Sequence, residues 1–164
     1  MKTFGLPVVA ASLLTAAIVF CAPQDARAGI GDALGSWEGT GSGHDVSGKD
    51  LGAFTVAITR KAGAARGSVR SDGKVTLASG QEIVFWQEME DHGASGFRLV
   101  TNNGSGGGRC FANRMCQWYE KRADGHAFAT TVVCDSDDKM RILVTELDRG
   151  QAVRFFEQTL TKKP

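Results

Sequence analysis

The chain is short of most of what local catalytic and metal motifs are built from. It holds three His and four Cys in 164 residues. No Cys-x-x-Cys pair and no clustered His accompanies them, so a cysteine-based zinc site is excluded by spacing. The Gly-x-Ser-x-Gly nucleophile pattern is missing. The glycine run Gly104–Gly108 lacks a Gly-Lys-Ser/Thr ending and leads into a strand-like segment, so it is not a phosphate loop. No local motif points to an enzyme, and no cofactor or metal is expected.

Neither charge sign is in excess, with 19 Lys and Arg against 18 Asp and Glu. That balance argues against nucleic acid or an anionic membrane as the main partner, because both ask for a net basic surface. Sustained helical periodicity is lacking too, which removes the helical fold classes. The single long apolar run, Leu6 to Cys21, is at the N-terminus. It follows a basic Met1-Lys2 start and precedes a small-x-small site, Ala26-Arg27-Ala28. The run is too short for a comfortable membrane span, and the whole reads as a secretory signal peptide over residues 1–28. Removing it takes Lys2, Arg27 and Asp25 away and leaves net charge near zero in one domain, 29–164. The expected location is the periplasm or the exterior.

Glycine is abundant, with 21 residues. Gly35-Ser36-Trp37-Glu38-Gly39-Thr40-Gly41-Ser42-Gly43 sets one Trp in a ladder of glycines at every second position. On a strand, Trp37, Gly39, Gly41 and Gly43 share a face. Glycines on one face mark a tight bend or a close approach by another group. A large anchor followed by an empty face suits the first strand of a small closed barrel. Downstream, alternating segments recur with turn signals between them. In Leu51 to Arg60, Phe54, Val56 and Ile58 face one way; in Gln81 to Met89, Ile83, Phe85 and Met89 do so; Phe97 and Leu99 point inward. Asp72-Gly73 reads as a hairpin turn, Gly104 to Gly108 as a mobile rim loop, and Asp124-Gly125 and Arg149-Gly150 as further turns. The count is about eight to ten strands, the spacing of an all-β barrel or sandwich. Short links favour an antiparallel up-and-down meander, which loses its exposed edges by closing into a barrel. A short helical turn over Asp32-Ala33-Leu34 precedes it.

The Gly35-Ser36-Trp37 opening resembles the calycin group, the lipocalins and their relatives. The longer Gly-x-Trp-x-Gly-x-Gly-x-Gly pattern is similar to the nitrobindin-like barrels. The resemblance implies an internal cavity with a ligand entering at the open end. It also implies that an Arg on the last strand, here Arg154, packs over Trp37. Haem binding of the nitrobindin kind uses a late His, and no His follows His126, so haem is not carried over. Small exported bacterial protease inhibitors have a similar barrel and insert an N-terminal segment into the enzyme, here Gly29 to Leu34.

After export three cysteines remain, Cys110, Cys116 and Cys134, in an oxidising compartment where a disulfide forms. Cys110–Cys116 would clip a small loop, and Cys116–Cys134 would bridge a hairpin; either leaves one thiol over. On the face that alternates with Cys116, Trp118 and Glu120 point together, with Phe128 on the neighbouring strand. If that face is inward, Glu120 is a buried carboxylate that needs a partner or a ligand. Candidate ligand-binding residues are therefore Trp118, Glu120, Phe128, Phe54 and Phe85. Trp37, Arg154, Gly39 and Gly41 are structural. The expected function is an exported barrel that binds a small apolar ligand inside. A protein-binding barrel of the envelope is the alternative, and a small enzyme or structural envelope protein is a third. Nothing in the sequence demands a dimer.

Overall fold

The computed structural model describes residues 34–93, 96–111 and 114–164. Ten strands fill them: β1 Gly35–Asp45, β2 Asp50–Ala62, β3 Ser68–Leu77, β4 Glu82–Asp91, β5 Phe97–Thr101, β6 Gly104–Phe111, β7 Met115–Arg122, β8 His126–Cys134, β9 Lys139–Asp148 and β10 Gln151–Lys162. Each strand pairs with its sequence neighbour, and β1 closes on β10, so the sheet is an up-and-down barrel with no open edge. The expected meander is what forms. The leader at 1–28 and the turn residues Asp32 and Ala33 lie outside the described residues.

Alternation decides what faces in. In β2, Phe54, Val56 and Ile58 are buried between exposed Thr and Ala positions, and in β9 Met140, Ile142 and Val144 are buried between Lys139, Arg141 and Leu143. Short turns join the strands. Arg149 and Gly150 both take positive φ, at 50° and 83°, as a two-residue hairpin requires.

The first strand behaves as its glycines demand. A Cβ at Gly39 would collide with the Thr159 carbonyl oxygen of β10, so only glycine permits that approach. A Cβ at Gly41 would sit in the ring of Phe54, and one at Gly43 in the ring of Phe156. Trp37 is buried, opposite Lys162 in register, and the Lys162 ammonium lies 5.9 Å from its ring centre. This corrects the expected pairing with Arg154. Arg154 lies at the other end of β10, opposite Asp45, and binds Glu146 instead.

Two turn or loop readings are also corrected. Asp72-Gly73 is not a turn: β3 runs through it, with Gly73 opposite Ile58 and Phe85. The glycine is there because the Phe85 ring covers it. Gly104–Gly108 is not a loop but most of β6. A Cβ at Gly106 or Gly108 would strike the β7 backbone carbonyl oxygens of Tyr119 and Gln117, so this run marks tight strand approach rather than mobility.

Cys110 and Cys116 stand directly opposite across β6 and β7 and form a disulfide, Cα to Cα 4.0 Å. Cys134 is disulfide-bonded as well, and no described cysteine is free.

Gly73→Ala should lower stability by about 1–3 kcal/mol, because the added methyl overpacks the Phe85 ring. Adding Phe85→Leu should recover part of that loss. Urea melts of the single and double variants check this, and a neutral Gly73→Ala would contradict the packing described.

Candidate functional site

Among the apolar residues of the inward face stands a set of buried polar ones. On β7, Cys116, Trp118, Glu120 and Arg122 are all buried on one face. Gly106 on one side and Phe128 on the other stand opposite Glu120. The missing side chain at Gly106 lets the β7 backbone approach closely at Glu120. Thr101 at the end of β5 donates its hydroxyl to Glu120 Oε1 at 2.8 Å, and Arg122 Nε donates to the same oxygen at 3.3 Å. Glu120 Oε2 has no hydrogen-bond partner. Burial pushes the Glu120 carboxyl above its ordinary value, against the opposing pull of Arg122 and Thr101. The Arg122 guanidinium also lies 4.3 Å over the centre of the Phe128 ring, a cation–π contact.

A second carboxylate follows across Phe128. Glu146 on β9 is opposite both Phe128 and Arg154 and is fully buried. Arg154 donates to Glu146 Oε2 at 3.3 Å. His126 Nδ1 is 2.9 Å from Glu146 Oε1, without a hydrogen bond between them. The His126 and Arg154 side chains are both 27% exposed, so this pair connects the buried carboxylate to solvent where β8 and β10 begin.

The register continues the band to the opposite wall. Thr101 faces Gln87, Gln87 faces Ser71, and Ser71 faces Arg60, all buried. Burial draws the Arg60 guanidinium down to about 9, still charged at neutral pH. Both polar atoms of Gln87 and of Gln158, with Trp118 Nε1 and Thr130 Oγ1, have no hydrogen-bond partner. An unsatisfied buried group costs about 1–3 kcal/mol.

All five residues expected to bind a ligand are buried. The structure brings Trp118, Glu120 and Phe128 together on β7 and β8, with Phe97 edge-on to Trp118 at 6.1 Å. Phe54 and Phe85 are on the far wall, where they cover Gly41 and Gly73; Phe54 also meets Phe156 at 6.5 Å. Sequence reasoning missed Thr101, Arg122, Glu146, Gln87 and Gln158. Counting two residues past Glu120 would have found Arg122, and the β9 alternation through Val144 would have found Glu146. Among the described residues no group of His, Cys, Asp or Glu is placed to hold a metal ion, and no helix is long and apolar enough to cross a membrane. The acidic turn after β8 is taken up locally: Asp135 binds Arg141 and Asp137 binds Arg114.

No family model matches the chain, and no curated protein matches it in sequence. Solved structures share its fold. The S-type phycobiliprotein lyase CPES from Guillardia theta superposes with a TM-score of 0.67 at 12% identity, over 81% of this chain and 89% of that one. A protein of unknown function from the DUF3598 family of Nostoc punctiforme gives 0.61 at 11%, over 82% of this chain and 49% of its own. Rv2717c from M. tuberculosis gives 0.59 at 13%, over 82% and 94%. These similarities establish a shared antiparallel β-barrel fold.

Raising the pH through the Glu120 titration should cost the folded protein stability. The folded state holds this proton more tightly than the unfolded state, so stability is highest when Glu120 is protonated. It falls as pH rises from the ordinary Glu value, about 4.3, through the raised folded value. The slope is at most about 1.4 kcal/mol per pH unit for one proton. Glu120→Gln keeps an acceptor for Thr101 and should lose this part of the pH dependence, as thermal melts across pH would show. An unchanged slope would place Glu120 in water.

Proposed function

We propose that the protein is an exported calycin-like barrel that binds a small molecule in its interior. The ligand has an apolar body and at least one polar group. The observation that carries this reading is the set of buried polar atoms with no partner: Glu120 Oε2, Trp118 Nε1, Thr130 Oγ1 and both ends of Gln87 and Gln158. An interior serving packing alone gains nothing from them, since apolar side chains of the same size would be less costly. Aromatic walls with a few convergent polar groups are the usual lining of a small-molecule site. Phe128, Phe97 and Trp118 supply the wall, and the groups above supply the convergence. The partly exposed His126 and Arg154 mark the end where a ligand enters. Export is part of the proposal: the Cys110–Cys116 disulfide suits an oxidising compartment, and the leader sequence supplies the route. The protein-binding alternative relies on Gly29 to Leu34, of which only the exposed Leu34 is described, and on no feature of the barrel interior.

Native mass spectrometry of the protein purified from its own host should show a bound species of a few hundred daltons. Gln158→Leu should raise the melting temperature of the ligand-free protein, by removing two unpartnered atoms, and lower the loaded fraction. A wild-type protein that is ligand-free in its own host and takes up no amphiphilic dye would overturn the reading.

A further inference from the structure

We propose that the outer wall of β5–β9 carries a second site and that it binds an anionic carbohydrate. The outward positions of β5 to β9 carry Arg98, Arg109, Lys121, Lys139 and Arg141 and no Asp or Glu. Outward acids occur instead on β1, β3, β4 and β10, for example Glu38, Asp72, Glu88 and Glu157. The near-zero net charge thus hides a one-sided distribution. Arg98 is held by Glu90 and Arg141 by Asp135, whereas among the described residues no ion pair holds Arg109, Lys121 or Lys139. A cationic face of this kind attracts an anion at ordinary salt.

Shape narrows the partner. The wall contains an open depression of about 750 Å³ whose sides include the outward Gly107, Arg109, Phe111, Gln117, Tyr119 and Thr131, and which the inward-facing Phe97, Trp118 and Thr130 also border. Gly107 gives it a floor of bare backbone. Tyr119 and Phe111 stand 47% and 39% exposed at its sides. Gln117 Nε2 reaches Thr131 Oγ1 at 3.3 Å, which presents an amide and a hydroxyl side by side. Exposed rings beside amide, hydroxyl and guanidinium groups match a sugar: the C–H face of the ring stacks on Tyr119, its hydroxyls meet Gln117 and Thr131, and its acid meets Arg109. A flat anionic membrane would be met by protruding side chains, not by a depression. An extended peptide would add to a sheet edge, and a closed barrel has none. The Cys110–Cys116 disulfide fixes the hairpin that carries Arg109, Phe111 and Gln117, so the site is preorganised.

The test uses oligogalacturonate and dextran sulfate as carboxylate and sulfate probes, and phosphatidylglycerol vesicles as an anionic surface without sugar rings. Calorimetry should show binding of at least one sugar probe, weakening with salt. Tyr119→Ala and Arg109→Gln should each weaken it about tenfold. Val84→Ser, exposed on β4, should leave it unchanged. Thermal melts establish that each variant is folded. Failure of wild type to bind either sugar, binding that ignores both site variants, or binding to the vesicles alone would overturn the proposal. Interior loading, read by native mass spectrometry, should be the same in Arg109→Gln, so the two readings fail separately.

Discussion

Phe54, Phe85 and Phe156 each lie over a glycine of a neighbouring strand, and the shape of the barrel depends on that fit. Gly41, Gly73 and Gly43 would each carry a Cβ into one of these rings. An aromatic ring can lie flat on a sheet only where the wall beneath it has no side chain, and covering such a glycine restores the burial the strand lacks. Gly39 adds the complementary constraint, since the β10 backbone occupies the space of its missing side chain. The closure of β1 on β10 is therefore made by absence: the seam closes where side chains are missing, and rings from β2 and β10 fill the inside of it.

The same arrangement separates two halves of the interior. Around β1 to β4 the large side chains that face in are mostly apolar, and two of them, Phe54 and Phe85, cover glycines. Around β5 to β10 they include Glu120, Arg122 and Glu146, which are fully inside, and Arg154, which reaches the rim. The polar band joins the halves through Thr101, whose hydroxyl reaches Glu120 and whose backbone faces Gln87. Position along a strand thus sets chemistry. Trp118 and Glu120 are two residues apart on one face, yet one meets Thr130 and the other Phe128.

The barrel and its meander were legible because alternation is a local signal that survives in a single sequence. Phe54–Val56–Ile58 on β2 and Ile83–Phe85–Met89 on β4 declare their inward faces without any partner in view. Gln87 sits between Phe85 and Met89 on that same face and was passed over, because a polar residue in an apolar row reads as an interruption until burial is known. The glycines were harder. Gly73 and the run from Gly104 carry turn and loop composition, and only the neighbouring strand shows that their role is to admit Phe85 or the β7 backbone. The pairing of Trp37 with Lys162 needed the register of β10, which no local pattern supplies.

The remaining question is why the interior keeps charge at all. Taking an ion out of water costs several kcal/mol even after relaxation, and apolar replacement of a buried pair is often neutral or stabilising. A domain's whole net stability is only about 5–15 kcal/mol. Glu120, Glu146, Arg60 and Arg122 are all at most 4% exposed, so their combined desolvation is of the same order as the stability itself. Buried charge can be kept to specify register, but register here already has two other determinants. A one-residue slip of β1 would turn Trp37 outward, and a slip of β3 would remove the glycine under Phe85. With register fixed by the glycines and rings, specificity of folding does not account for the band. On the proposed reading, a ligand supplies the partners that Glu120 Oε2 and the Gln87 and Gln158 amides lack.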